Sequence, residues 1–118
     1  MEISAERSFC ILTTRYGSDI PDPSGKDLER ALKEVYSSRD DEHPNAWLRY
    51  GPADGTMFVL DIYQTGRVEF SQWKDTDYHV ELAPPVELER VKRQTALILW
   101  KALDRGDLEC VRRELHAR

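Results

Sequence analysis

Histidine, cysteine and the acidic residues are the side chains of this chain that could perform chemistry, and their spacing limits what that chemistry can be. The histidines are His43, His79 and His116, and the cysteines are Cys10 and Cys110. A zinc site needs three or four converging ligands, whereas no histidine here is followed by a ligand four residues later or has a cysteine beside it. We therefore expect no metal and no other cofactor, and we expect both cysteines to be reduced and structural.

Nucleophilic catalysis and phosphate binding have sequence signatures that this chain lacks. A serine nucleophile often sits on a GxSxG turn, and phosphates are often held by a glycine-rich loop. The two glycine-containing stretches, GPADG at 51–55 and QTG at 64–66, are typical of ordinary turns. The chain is therefore predicted not to be an enzyme.

Acidic residues form two groups, both in polar connectors. They are Asp40, Asp41 and Glu42 in the segment SSRDDEHPN, and Asp75, Asp77 and Glu81 in the segment KDTDYHVE. A glycosidase would need two carboxylates held roughly 5–9 Å apart in a cleft. In connectors such as these, acids are more often solvated, so a catalytic pair is not predicted. The remaining alternative is that these acids face a basic partner.

Aromatic residues accompany the run TMFVLDIYQTGRVEFSQW, residues 56–73, which predicts a β-hairpin around Gly66. Phe58, Leu60 and Ile62 share one face of its first strand, and the same alternation puts Trp73 on the face opposite Val68 and Phe70. Exposed Trp and Tyr bounded by charge are typical of interface anchors, but they could equally pack over a thin sheet edge. The aromatic residues in or beside the strands are Trp47, Tyr50, Tyr63, Trp73 and Tyr78, while Trp100 is predicted to be in the core.

The elements that position these residues are predicted by periodicity and by capping signals. A first strand is predicted at Ser8–Tyr16, followed by the loop GSDIPDPSG. Ser24 is a predicted helix cap, with Asp27 three residues later, and the helix should end near Ser38. Its apolar stripe is Leu28, Ala31, Leu32 and Val35.

The second half of the chain continues with strands and then changes to helical periodicity. A strand is predicted at Ala46–Tyr50 before the hairpin, and a short edge strand at Tyr78–Leu82 after it. A long helix is predicted from Val86 to about Asp104, with Leu88, Val91, Thr95, Ile98, Leu99 and Leu103 on its buried side. Gly106 should end this helix and Asp107 should cap a last one, in which Leu108, Val111 and Leu115 face inward.

The predicted fold is a single small α+β domain over residues 1–118, in the order β-α-β-β-β-(β)-α-α. Consecutive strands favour a mainly antiparallel sheet, and the helices should cover one face of it. This arrangement leaves the other face open to a partner or a ligand.

The charge balance excludes some partners. With 17 Lys and Arg against 22 Asp and Glu, the net charge is −5, which argues against nucleic acid and anionic membranes as partners. It is compatible with a basic protein partner. The longest apolar run, at 96–100, is far too short to span a membrane, and MEISAERSF has no signal-peptide pattern. We therefore expect a cytoplasmic protein.

Three stretches together have the pattern of a known family: PSGKDLERALKEV, AWLRYGPADGTMFVLDIYQTGRVEFSQW and PVELERVKRQTALILWKALDRGDL. The pattern consists of a hairpin with xxTGxV and an aromatic residue, followed by a proline and by a long helix that ends in LxxGDL. In this pattern the chain resembles the small α+β immunity proteins of bacterial polymorphic-toxin systems. These systems include contact-dependent inhibition, Rhs and type VI systems. The resemblance implies a protein that binds a cognate toxin domain and blocks its active site, without catalysis of its own.

The leading hypothesis is therefore an inhibitor that binds a basic toxin domain as a monomer in a 1:1 complex. Its candidate contacts are Asp40, Asp41, Glu42, Trp47, Trp73, Asp75, Asp77 and Tyr78. A small enzyme or ligand-binding domain is the second hypothesis, which a deep pocket with convergent polar groups on the open face would favour and a flat face would oppose. An adaptor or secretion chaperone is the third, and would more often be a dimer with a broad apolar patch.

Overall fold

The computed structural model describes residues 7–117, which form a six-stranded antiparallel sheet and three helices. The strands are β1 (Arg7–Thr13), β2 (Asp19–Pro21), β3 (Asn45–Pro52), β4 (Met57–Tyr63), β5 (Val68–Trp73) and β6 (Glu81–Leu88). The helices are α1 (Gly25–Ser37), α2 (Arg93–Asp104) and α3 (Leu108–His116). The strands lie in the order β2-β1-β3-β4-β5-β6. The predicted α+β class and the order of the predicted elements are confirmed.

One face of the sheet packs against the helices and forms the core. The strand positions predicted to face the helices are all buried there: Phe58, Leu60, Ile62, Val68 and Phe70. Trp100 of α2 is fully buried, as predicted, and its indole Nε1 donates a hydrogen bond to the Leu60 carbonyl at 3.0 Å. No helix between residues 7 and 117 combines the length and apolar character needed to cross a membrane. Residues 1–6, part of the segment for which no signal peptide is expected, lie outside the described residues.

The helix ends form as local sequence predicts. Ser24 Oγ accepts from the Asp27 N–H at 3.1 Å, and the Asp27 carboxylate accepts from the Ser24 N–H at 2.9 Å, which completes a capping box. At the start of α3, Asp107 accepts from the Cys110 N–H at 3.0 Å. Gly106 has φ +75°, the left-handed conformation that glycine adopts readily after a helix. These partners lie within four residues of each other, so local sequence is sufficient to predict them.

The long helix predicted from Val86 is wrong in its first part. Strand β6 continues to Leu88, and α2 begins only at Arg93. Val86 pairs with Phe70 of β5, and Leu88 pairs with Val68. Over so few residues an apolar alternation fits a strand as well as a helix, and the unpaired edge of β5 decides in favour of the strand. The edge strand predicted at Tyr78–Leu82 accordingly begins later and is longer than expected.

Three smaller expectations are also corrected. Strand β1 ends at Thr13 rather than at Tyr16, and the predicted loop at 17–25 contains β2, which pairs with β1. Ile98 was expected to be buried but is 47% exposed. It lies two residues before the buried Trp100, roughly 200° around the helix axis. Leu99 and Leu103 are buried as predicted, and the rest of the buried side of α2 is formed by Ala96, Trp100 and Ala102.

Both cysteines are free and buried, as predicted. Burial raises the pKa of Cys10, and a hydrogen bond from its Sγ to Asp104 Oδ1 at 3.2 Å raises it further. The thiolate is the reactive form of cysteine. We therefore expect neither thiol of the native protein to react with Ellman's reagent within minutes at pH 8, whereas both react in urea. Rapid labelling of Cys10 in the native protein would contradict this environment.

Candidate functional site

The face of the sheet that is turned away from the helices carries a groove of about 350 Å³. Its base is formed by side chains that alternate with the core positions along the strands: Asn45, Trp47, Val59, Asp61, Glu69 and Ser71. Its remaining lining comes from Trp73 at the end of β5, Tyr78 in the following segment and Glu81 at the start of β6. The groove therefore combines three aromatic side chains with three carboxyl groups.

The register of the sheet brings one aromatic residue and three acids into a row across the open face. Trp47 of β3 pairs with Asp61 of β4, Asp61 with Glu69 of β5, and Glu69 with Glu87 of β6. Directly opposite side chains have Cβ atoms roughly 4.5–5.5 Å apart, so neighbouring carboxylates repel. Arg67 offsets part of this repulsion, since its Nη2 lies 3.5 Å from Glu69 Oε1 and 3.4 Å from Glu87 Oε2.

Asp61 is the carboxyl group at the base of the groove. Burial raises the pKa of Asp61 to about 6; the charge of Glu69 also raises it, while a hydrogen bond from Asn45 and the charge of Arg67 lower it. The Asn45 Nδ2 donates to Asp61 Oδ1 at 2.7 Å. Within residues 7–117 no Lys, Arg or His forms an ion pair with Asp61. At neutral pH this group is thus ionised, largely buried and without a cationic partner, a state that a cation would stabilise.

The segment 74–80 is closed by its own hydrogen bonds. The Lys74 N–H donates to the Val80 carbonyl at 2.8 Å. The Asp75 carboxylate accepts from the N–H groups of Asp77 at 2.9 Å and His79 at 3.2 Å. The hydrogen bond from His79, followed by that from Asp77, lowers the pKa of Asp75 although burial acts in the opposite direction. The main role of Asp75 in this structure is therefore to shape the segment.

The closed segment brings Tyr78 to the groove at some conformational cost. Tyr78 has φ +60°, a left-handed conformation that a bulky residue rarely adopts. Its ring packs edge-on against Trp73, with the centroids 5.0 Å apart. Burial raises the pKa of Tyr78, with the charge of Asp61 adding to the effect and that of Arg49 opposing it. Strained residues of this kind concentrate at functional sites, which supports a functional reading of the groove.

A bulge between β5 and β6 shapes the same edge of the groove. Residues 70 and 72 of β5 pair with residues 86 and 83 of β6, so Pro84 and Pro85 lie opposite the single residue Ser71. Proline cannot donate to the strand ladder and is confined to edges and bulges. Bulges bend a strand locally and are frequent next to functional sites.

The first acidic group lies elsewhere, in the connector that joins α1 to β3. The Asp40 N–H donates to Gln64 Oε1 at 2.8 Å, and Gln64 Nε2 donates to Asp41 Oδ1 at 3.4 Å. Burial acts to raise the pKa of Asp40, but hydrogen bonds from His43 and Glu42 outweigh it and lower the pKa. Asp41 and Glu42 are exposed. None of the three acids lines the groove.

The buried side chain of Arg15 holds this connector in place. It is 4% exposed, and its Nε donates to the His43 carbonyl at 2.9 Å. Its Nη1 donates to the carbonyls of Glu34 at 2.6 Å and Ser38 at 3.0 Å, and its Nη2 donates to Gln64 Oε1 at 2.9 Å. A guanidinium at the C-terminal end of α1 also complements the helix dipole. Arg15 thereby fixes the shape of the acidic connector.

The structure thus brings together only some of the predicted contact residues. Trp47, Trp73 and Tyr78 line the groove. Asp75 and Asp77 belong to the segment that positions Tyr78, and the connector acids form a separate surface. The sequence prediction missed Asp61, whose signal is a single acid within the apolar strand MFVLDIY.

Within residues 7–117, no three His, Cys, Asp or Glu side chains are grouped so that they could hold a metal ion. No protein-family model, no curated protein and no solved structure matches the chain. The geometry of the groove is therefore the basis for a functional proposal.

Proposed function

We propose that this chain is an immunity protein that acts in the cytoplasm, binds the toxic domain of a cognate secreted bacterial toxin and neutralises it by occluding its active site. It would bind a basic toxin domain as a monomer, in a 1:1 complex and without catalysis of its own. The observation that carries the proposal is the groove that Trp47, Trp73 and Tyr78 line together with Asp61. Trp and Tyr in partly desolvated patches dominate binding energy at protein interfaces.

The charge of the protein supports the same partner class. The net charge is −5, and the groove adds Glu69 and Glu81 to Asp61. An acidic field accelerates and orients association with a basic protein. The exposed acids Asp41 and Glu42 of the connector would extend this field beyond the groove.

The test is direct binding to the C-terminal domain of a large secreted protein encoded by the adjacent reading frame. We expect the purified domain to bind with 1:1 stoichiometry by calorimetry. Co-expression of this protein should restore growth of cells that produce the domain. Absence of both binding and protection would overturn the proposal.

A double substitution tests whether the groove edge is the contact surface. Trp73→Ala with Asp75→Lys removes an aromatic anchor, reverses a charge and removes the carboxylate that shapes the segment carrying Tyr78. We expect about tenfold weaker toxin binding, or about 1.4 kcal/mol. The domain should remain folded by circular dichroism. As a matched control, Glu29→Lys makes the same change of charge on the exposed surface of α1 and should leave the affinity unchanged. Equal affinities for the double variant and the control would contradict this placement of the contact surface.

One observation favours a second function, that of a small ligand-binding or enzymatic domain. The open face carries a shallow groove that is wide open to solvent, and burial raises the pKa of Asp61 in this groove to about 6. A carboxyl group with such a pKa suits general acid–base catalysis near neutral pH, and the groove is at the lower end of the roughly 300–1,000 Å³ range of small-molecule sites. Saturable binding of a metabolite that Asp61→Asn abolishes, with no toxin binding, would establish this alternative.

A further inference from the structure

We infer that the groove on the open face is the binding site for an arginine side chain. The inference deepens the proposed function and rests on it for the origin of that arginine, namely the toxin domain. The charge, the aromatic lining and the size of the groove favour an arginine ligand whatever its origin.

The first support is the unpaired carboxylate. Asp61 Oδ1 accepts a hydrogen bond from Asn45 at 2.7 Å, and among residues 7–117 no donor reaches Oδ2. Because Asp61 and Oδ2 open into the groove, a ligand donor can approach from there. No Lys or Arg side chain lines the groove. Of its three carboxyl groups, Glu69 is paired with Arg67, whereas within residues 7–117 Asp61 and Glu81 form no ion pair and give the groove its negative charge. A positively charged donor is the ligand that such a site selects.

The second support is the aromatic lining. Trp47, Trp73 and Tyr78 belong to two different strands and a loop, yet all three line the groove around Asp61. The faces of Trp and Tyr rings attract cations, and Trp does so most strongly. Tyr78 brings one of these rings to the groove from a left-handed backbone conformation, with φ +60°.

The open face already holds one arginine in the same way. The Arg67 guanidinium lies 4.8 Å from the Tyr63 ring centroid and within 3.5 Å of Glu69 and Glu87. A ring and a carboxylate thus cooperate to hold a guanidinium beside the groove. The groove offers the same two kinds of group, namely the rings of Trp47, Trp73 and Tyr78 and the carboxylate of Asp61.

Arginine fits better than lysine for two reasons. Its planar guanidinium stacks on aromatic rings and donates two parallel hydrogen bonds to a carboxylate, whereas an ammonium is compact and more strongly hydrated. A groove of about 350 Å³ accepts one extended side chain but is small for a folded peptide segment. Arginine is also among the residues most enriched at interface hot spots.

The experiment titrates ¹⁵N-labelled protein with N-acetyl-arginine amide, N-acetyl-lysine amide and the neutral isostere N-acetyl-citrulline amide. The indole N–H signals of Trp47 and Trp73 report on the groove, and that of the buried Trp100 is an internal reference. We expect the arginine probe to shift the first two signals and not the third. We also expect it to bind about tenfold more tightly than citrulline, with lysine between them.

Two variants test the residues involved. Asp61→Asn retains an acceptor for Asn45 but removes the charge, and Trp47→Leu removes one ring; each should weaken the arginine probe about tenfold. Glu109→Gln, which removes an exposed acid of α3 outside the groove, is the control and should have no effect. Equal affinity for arginine and citrulline, or an unchanged affinity in Asp61→Asn, would overturn the inference.

This outcome is separable from that of the proposed function. If the toxin domain binds Asp61→Asn and Trp47→Leu as tightly as the wild type, the proposed function stands. The inference then fails, because the groove does not bind an arginine of the toxin. If the arginine probe binds as expected but no toxin domain binds the protein, the site stands and the proposed function fails.

Discussion

Replacing Arg15 by alanine is expected to lower the free energy of unfolding by about 4 kcal/mol, since it removes a buried charge-assisted network. Arg15 is 4% exposed and donates to the carbonyls of Glu34, Ser38 and His43 and to the Gln64 side chain. Without the guanidinium the partly buried carbonyls of Glu34 and His43 each lose a donor, at a cost of about 1–3 kcal/mol each. Gln64 Oε1 loses one of its two donors and keeps the Asp40 N–H.

Urea denaturation followed by Trp fluorescence measures this effect. Arg15→Lys should recover only part of the loss, because one ammonium cannot reproduce the geometry of the guanidinium fork. Arg39→Ala is the matched control: the Arg39 side chain is 78% exposed in its pair with Asp41, so its loss should cost less than about 1 kcal/mol. A cost below 1 kcal/mol for Arg15→Ala would mean that the connector is held by other contacts.

Replacing Asp61 by asparagine is expected to have the opposite effect and to raise the free energy of unfolding by about 3 kcal/mol at pH 8. Burial raises the pKa of Asp61 to about 6 from its ordinary value of 3.8. Above pH 6 the folded state must therefore keep a carboxylate ionised in surroundings that favour the neutral form. Asparagine is neutral, and its side-chain oxygen still accepts from Asn45 Nδ2.

The pH dependence of this effect has a definite sign. The folded state binds the Asp61 proton more tightly than the unfolded state, so the contribution of Asp61 to stability is greatest below pH 3.8 and is lost as the pH rises to 6. The difference in unfolding free energy between Asp61→Asn and the wild type should therefore be small near pH 3.5. It should grow between pH 4 and 6 and remain constant above that.

Paired urea titrations at pH 3.5, 5 and 8 measure this difference. Asp77→Asn, at an exposed position, should differ from the wild type by less than about 0.5 kcal/mol at each pH. If Asp61→Asn is less stable than the wild type at pH 8, the prediction is wrong. The ionised carboxylate is then stabilised by groups within the protein. If Asp61→Asn is more stable than the wild type and also binds the arginine probe less tightly, the Asp61 carboxylate lowers the stability of the fold and contributes to binding.

Local sequence determined much of this fold. The capping box of Ser24 and Asp27, the apolar stripe of α1 and the hairpin around Gly66 depend on partners a few residues apart, so pattern and cap chemistry are sufficient. The alternation along β4 and β5 likewise placed Trp73 on the face away from the helices. The α+β class follows from this order of elements, because each amphipathic face needs a partner to cover it.

Only the tertiary structure decided the end of β6 and the composition of the site. Val86 and Leu88 fit a helix or a strand equally well until the free edge of β5 pairs with them. Trp47, Asp61 and Tyr78 are far apart in sequence, and only the register of β3 on β4 and the fold of segment 74–80 bring them together. The raised pKa of Asp61 arises from its burial in the folded protein. Burial and convergence are properties of non-local packing, whereas charge, periodicity and capping can be read along the chain.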